Sequence, residues 1–156
     1  MIKPSATEMI ACLKRLGHKV FERGDYNLNL VGIRKSYQAS NRFDDTIAAF
    51  YKVDGAWRIS HWPVTTDPGW HHLEHGLNKG TAVLKEGQYP GAYQLGLHRG
   101  QYTALVQVKP VTVHRDANKD HRLDTGRTET GLFGINIHRA GQWAASTVVD
   151  KWSAGC

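Results

Sequence analysis

The sequence predicts a mainly β, α+β chain with one N-terminal helix. Three observations carry this. Sixteen of the 156 residues are Gly, and several short β-rich runs are separated by turn residues. One capping-box sequence, Ser5-Ala6-Thr7-Glu8, stands before a stretch with helical apolar spacing. Asp54-Gly55 lies between two β-rich runs, a strong hairpin signal because both residues tolerate positive φ. With 40% hydrophobic and 22% charged residues, the length suits one compact domain over residues 1–156.

The elements follow in order. Ser5 can accept from the backbone of Glu8, and Glu8 can reach back, which starts a helix over 6–16. Met9, Leu13 and Leu16 recur at helical spacing, and Gly17 ends it. Residues 27–34 alternate as a strand with a kink at Gly32. Residues 45–53 and 56–62 flank the hairpin turn, and Thr66-Asp67-Pro68-Gly69 makes a further turn. Residues 81–84, 102–108 and 111–114 read as strands, with Pro110 separating the last two, and His98 ends another. Residues 131–138 and 147–149 are the remaining apolar runs.

The chain carries a formal charge of +6 and a pI near 9.4, which favours polyanionic partners such as nucleic acid, an anionic wall or a membrane surface. The most basic stretch, 14–19, lacks the interleaved aromatics of a single-strand binder, so no specific nucleic acid is expected. No apolar run reaches transmembrane length. The first residues are interrupted by Glu8, Lys14 and Arg15 and do not read as a signal peptide, so synthesis in the cytoplasm is expected. The two cysteines, Cys12 and Cys156, form no disulfide framework or C-x-x-C motif. Cys12, among Met9, Ile10, Leu13 and Leu16, is expected to be a buried, inert thiol.

Cys156 suggests chemistry instead. It closes Ser153-Ala154-Gly155-Cys156, and His138 lies eighteen positions upstream in Gly134-Ile135-Asn136-Ile137-His138-Arg139. An imidazole beside a thiol lowers its pKa, takes its proton and later protonates a leaving amine. Gly155 lets the backbone approach a substrate carbonyl, and the N–H groups of Gly155 and Cys156 could face a developing oxyanion. A Cys12–Cys156 bridge would disable this chemistry.

This ending resembles the catalytic domain of the L,D-transpeptidases, a cell-wall enzyme family. Their motif is a His, fourteen to seventeen intervening residues, then Ser/Thr-His-Gly-Cys. Here fourteen residues separate His138 from Ser153. The resemblance implies Cys156 as nucleophile, His138 as its base, the Arg139 carbonyl as the group that orients the imidazole, and Ser153 and Gly155 in the nucleophile turn. Two positions depart from the family: Ala154 replaces its second His, and Arg139 stands where a small residue is usual. The match covers about 23 residues, Gly134 to Cys156. It implies an L,D-transpeptidase-like β-sandwich or barrel, truncated after the nucleophile turn. It also implies acyl transfer or hydrolysis on peptidoglycan stem peptides through a Cys thioester, with action at the cell wall and no cofactor required. The phrases Gly-Ile-Asn-Ile-His-Arg and Trp-Ser-Ala-Gly-Cys also resemble phage-encoded cell-wall proteins, which would make the chain an endolysin or virion-associated enzyme. His98, Asn136 and Trp152 are candidate substrate contacts. A non-catalytic cell-wall or virion binding module of the same fold is the alternative.

Two other motifs compete. His71-His72-Leu73-Glu74-His75 matches the inverted zinc-peptidase pattern, with His71, Glu74 and His75 as its residues. Pro68-Gly69 and Gly76 leave it barely two helical turns, so a polar loop is the expected reading. Asp116, Asn118, Asp120 and Asp124 form D-x-N-x-D-x-x-x-D, whose alternating oxygens could surround a structural Ca²⁺. His121 replaces the Gly of an EF-hand and Arg127 its final Glu. That segment reads equally as a calcium-stabilised loop or a solvated acidic turn.

Overall fold

The computed structural model describes residues 1–39, 41–76, 79–141 and 146–154. They form a mainly β protein with two short helices and open sheets, in two compact units.

The first unit comprises Met1–Lys35 and Asp44–Val64. Helix α1 (Ala6–Arg15) begins at the predicted capping box, with both reciprocal bonds between Ser5 and Glu8 present. At its other end Gly17, at φ +75°, lets its own N–H reach the Lys14 carbonyl and the His18 N–H reach Leu13, a Schellman ending. Strands β1 (Asn29–Ile33), β2 (Asp45–Val53) and β3 (Ala56–Val64) make an antiparallel sheet in that order. The β2–β3 hairpin turns on Asp54 (φ 51°) and Gly55 (φ 75°), as expected. The expected kink at Gly32 does not interrupt pairing; Gly32 sits in register opposite Ile47. Met9 and Ala6 bury against Ala48 and Phe50, flanked by Ile10, Leu13, Val31 and Ile59. Cys12 is exposed, not buried. The helix packs the stripe Ala6, Met9, Ile10 and Leu13, and Cys12 projects about 110° from its centre at 100° per residue.

The second unit comprises Ser36–Phe43 and Thr65–Cys156. Strands β4 (Thr81–Leu84), β7 (Val111–Asp116) and β8 (Thr128–Gly131) form one antiparallel sheet with β7 central. Strands β5 (Tyr93–His98) and β6 (Tyr102–Gln107) form a separate hairpin. Val111, Val113, Ala92 and Ile135 make one buried cluster, and Ala39, Leu73, Val83 and Leu123 another. A second helix, α2 (Trp70–Glu74), lies where a polar loop was expected, and it runs for five residues only.

The 131–138 run is not a continuous strand. Beyond β8 it is irregular, with one β-bridge at Ile137 opposite Leu105. The cause is Gln107. Its Oε1 accepts from the N–H groups of Phe133 and Ile135, and its Nε2 donates to the carbonyls of Lys109 and Gly131. One side-chain amide therefore satisfies backbone groups that a strand ladder would otherwise pair. Gly134, at φ +70°, supplies the bend. The 147–149 run likewise makes a single bridge, Val148 opposite Arg42.

Candidate active site

Three chain segments bring His98, Tyr102, Asn136, His138 and Arg139 together in the second unit. His98 ends β5 and Tyr102 begins β6, so the hairpin register sets them opposite each other. Arg99 (φ 50°) and Gly100 (φ 71°) make the turn between them. The bridge at Ile137 then carries Asn136 and His138 past the hairpin.

His138 Nδ1 lies 2.8 Å from the Arg139 carbonyl oxygen and 3.1 Å from the Tyr102 hydroxyl. A carbonyl oxygen only accepts, so Nδ1 carries the proton and Nε2 is the basic nitrogen of the neutral ring. The Tyr102 hydroxyl donates to the same carbonyl at 3.3 Å and closes a small ring of contacts. The Arg139 guanidinium lies 4.6 Å from the Tyr102 ring centroid, a cation–π contact. Tyr102 was not singled out from sequence; it lies 36 positions before His138, and only strand register joins them.

His98 stacks on His138 with centroids 4.1 Å apart and planes 19° from parallel. Its protonation follows from a chain of bonds. The Gln107 N–H donates to Asn136 Oδ1 at 2.9 Å, which fixes the orientation of the Asn136 amide. Asn136 Nδ2 therefore donates to His98 Nδ1 at 3.1 Å, and His98 is held neutral with its proton on Nε2. Burial, then the neighbouring His138 and Arg99, also hold its pKa below the ordinary 6.5. His138 thus stacks on a neutral ring and avoids a second positive charge.

Ser153 and Trp152 lie on the 146–154 segment. Ser153 is buried and its carbonyl accepts from the Gly69 N–H at 2.9 Å, while Trp152 is largely exposed. Asn41 secures the same segment: its Oδ1 accepts from Asp150 at 2.7 Å and from Trp70, and its carbonyl accepts from Val149. Gly69 has no room for a side chain, since a Cβ there would overlap the Asp150 backbone. The turn before α2 is therefore the bed on which residues 149–153 rest. Gly155 and Cys156 themselves lie outside the described residues.

The competing motifs have their own geometry. In α2 the His71 and His75 rings stack with centroids 4.9 Å apart, and His75 Nδ1 turns to the His71 carbonyl at 3.1 Å. Glu74 pairs with His121 at 2.8 Å. Neither arrangement is that of a zinc-peptidase site, and no group of three His, Cys, Asp or Glu could hold a metal as placed, among the described residues. Asp116, Asn118, Asp120 and Asp124 do converge in one loop. Comparison with protein families, curated proteins and solved structures returns no match to this chain.

Proposed function

We propose that the chain is a peptidoglycan-active cysteine enzyme of the L,D-transpeptidase kind. The observation that supports this most is the His138 imidazole, turned by the Arg139 carbonyl so that Nε2 is its basic nitrogen. A thiolate partner needs that tautomer, and the resemblance assigns that orienting role to the same carbonyl. The packing of the 146–154 segment against the 69–70 turn supports a rigid approach to the nucleophile.

In this reading the Cys156 thiol passes its proton to His138 Nε2. The thiolate adds to a stem-peptide carbonyl carbon, and the C–N bond breaks. The amine leaves with the proton from His138, and a thioester remains on Cys156. Water then gives hydrolysis; an amine acceptor gives a new peptide bond. Tyr102 and the Arg139 carbonyl hold the ring, and His98 packs against its face. The net charge of +6 would hold the protein on an anionic wall.

Intact-mass spectrometry after incubation with stem peptides or a carbapenem, which the resembled enzymes accept, tests this. The expected result is one acyl adduct, lost in Cys156→Ala and slowed in His138→Ala. An unmodified, reduced Cys156 after prolonged incubation would reject the enzyme reading. Iodoacetamide labelling of Cys156 at pH 6–7 no faster than that of a simple thiol would reject the activated thiolate.

A further inference from the structure

We propose that the loop 116–124 is a single Ca²⁺ site that braces the second unit, whatever the chemistry at Cys156. Asp116 ends β7 and is almost fully buried, at 1% exposure. Its Oδ2 accepts from the Asp124 N–H at 3.1 Å, but its Oδ1 is buried with no hydrogen-bond partner among the described residues. A buried carboxylate oxygen without a donor is costly, and a cation is what such an oxygen recruits.

The other oxygens are gathered around an amide. Asn118 Nδ2 donates to Asp120 Oδ2 at 3.2 Å and to Asp124 Oδ1 at 3.0 Å. The amide NH₂ thus takes the place between two carboxylates that a cation would fill. As placed, the three carboxylates do not form a metal cluster among the described residues. A rotation of Asn118 would exchange the bond its Oδ1 accepts from the Asp120 N–H at 3.1 Å for a cation contact, and free both carboxylates.

A backbone ligand is also in place. Arg122 pairs opposite Gln38 in a bridge whose bonds run from Ala39 N–H to the His121 carbonyl and from Leu123 N–H to the Tyr37 carbonyl. The N–H and C=O of Arg122 must therefore point to the other edge. Its N–H indeed donates to Asp120 Oδ1 at 2.7 Å. In that bridge geometry its carbonyl leaves on the same edge as the N–H, at the seventh loop position, where calcium loops use a backbone oxygen. Leu123, between the two, anchors the loop in the core with Val83, Leu73 and Ala39.

Asp116, Asn118, Asp120, Asp124 and the Arg122 carbonyl, completed by water, give Ca²⁺ its flexible oxygen shell; Mg²⁺ demands a tighter octahedron. The loop lacks a bidentate acid at its twelfth position, so affinity should be modest, roughly 10⁻⁴–10⁻³ M.

Terbium luminescence, calorimetry and thermal melts of the full chain test the site. Trp70 stacks on His121 within the loop, centroids 4.1 Å apart, and would sensitise bound Tb³⁺. The expected results are Tb³⁺ emission displaced by Ca²⁺ but not by equal Mg²⁺, and a Tm rise of at least about 3 °C in 10 mM Ca²⁺. The exposed Asp120→Asn variant should fold and lose both effects; Glu22→Gln, in the first unit, should keep them. Absence of both effects in the wild type would overturn the site, as would their survival in Asp120→Asn and Asp124→Asn together. Neither readout depends on Cys156, so failure here and failure of the enzyme reading are separate results.

Discussion

At the scale of single residues, the orientation of His138 is the central fact. Under the proposed enzyme reading it predicts that Tyr102→Phe, which removes one hydroxyl and keeps the ring, slows acylation roughly fivefold to tenfold, the rate equivalent of about 1 kcal/mol. Single-turnover mass spectrometry measures this, and an unchanged rate would remove Tyr102 from the machinery. The protonation pattern is testable without substrate. Nitrogen-15 NMR should show His138 with its proton on Nδ1 and His98 with its proton on Nε2. His98 also sets a pH dependence. Its folded pKa lies below 6.5, so the unfolded chain binds the proton first as pH falls. Its contribution to stability is complete above pH 6.5 and is lost as pH drops from there through the folded pKa. Urea melts at several pH values should show this acid-side loss in the wild type and a smaller one in His98→Gln. An identical pH slope in both proteins would refute the assignment.

At the scale of elements, Gln107 is the most consequential side chain outside the histidine cluster. It satisfies four backbone groups of the 107–135 region. Gln107→Ala would leave several of them without partners and should cost about 2–4 kcal/mol. Hydrogen exchange should speed first in 131–139, the segment that carries His138; protection unchanged there would show that the apolar packing of Ile135 and Phe133 suffices. In α1, Ser5→Ala removes the capping oxygen and should cost about 1 kcal/mol in denaturant melts. Sequence reading reached these elements unequally. The helix and the β2–β3 hairpin carry local signals, a capping box and an Asp-Gly turn, and both formed. Strand β8 was missed because Thr128-Glu129-Thr130-Gly131 has no apolar alternation; it is recruited by register against β7 and by the Glu129–Arg115 ion pair at 2.6 Å.

At the scale of the whole molecule, a formal charge of +6 predicts, under the proposed wall-active reading, salt-sensitive attachment to anionic wall polymers. Sedimentation with purified cell walls should fall steeply between low and high ionic strength, and insensitivity to salt would refute an electrostatic basis. Cys12 fits this exposed, basic exterior. It was expected in the core because its neighbours are apolar, but a helix buries one stripe and leaves the rest to solvent.

The sequence by itself determined the mainly β class, the capped N-terminal helix and the tight hairpin. Each rests on residues within a few positions of one another, where spacing and backbone geometry decide. Tertiary structure alone decided that His98 and Tyr102 contact the His138 imidazole with Asn136 behind His98, that Gln107 unravels an apolar run, and that Asp116 sinks one carboxylate oxygen out of reach of any donor among the described residues. These depend on strand register and burial, which join residues from 8 positions apart, as Asp116 and Asp124, to 38, as His98 and Asn136, with no signal in local spacing.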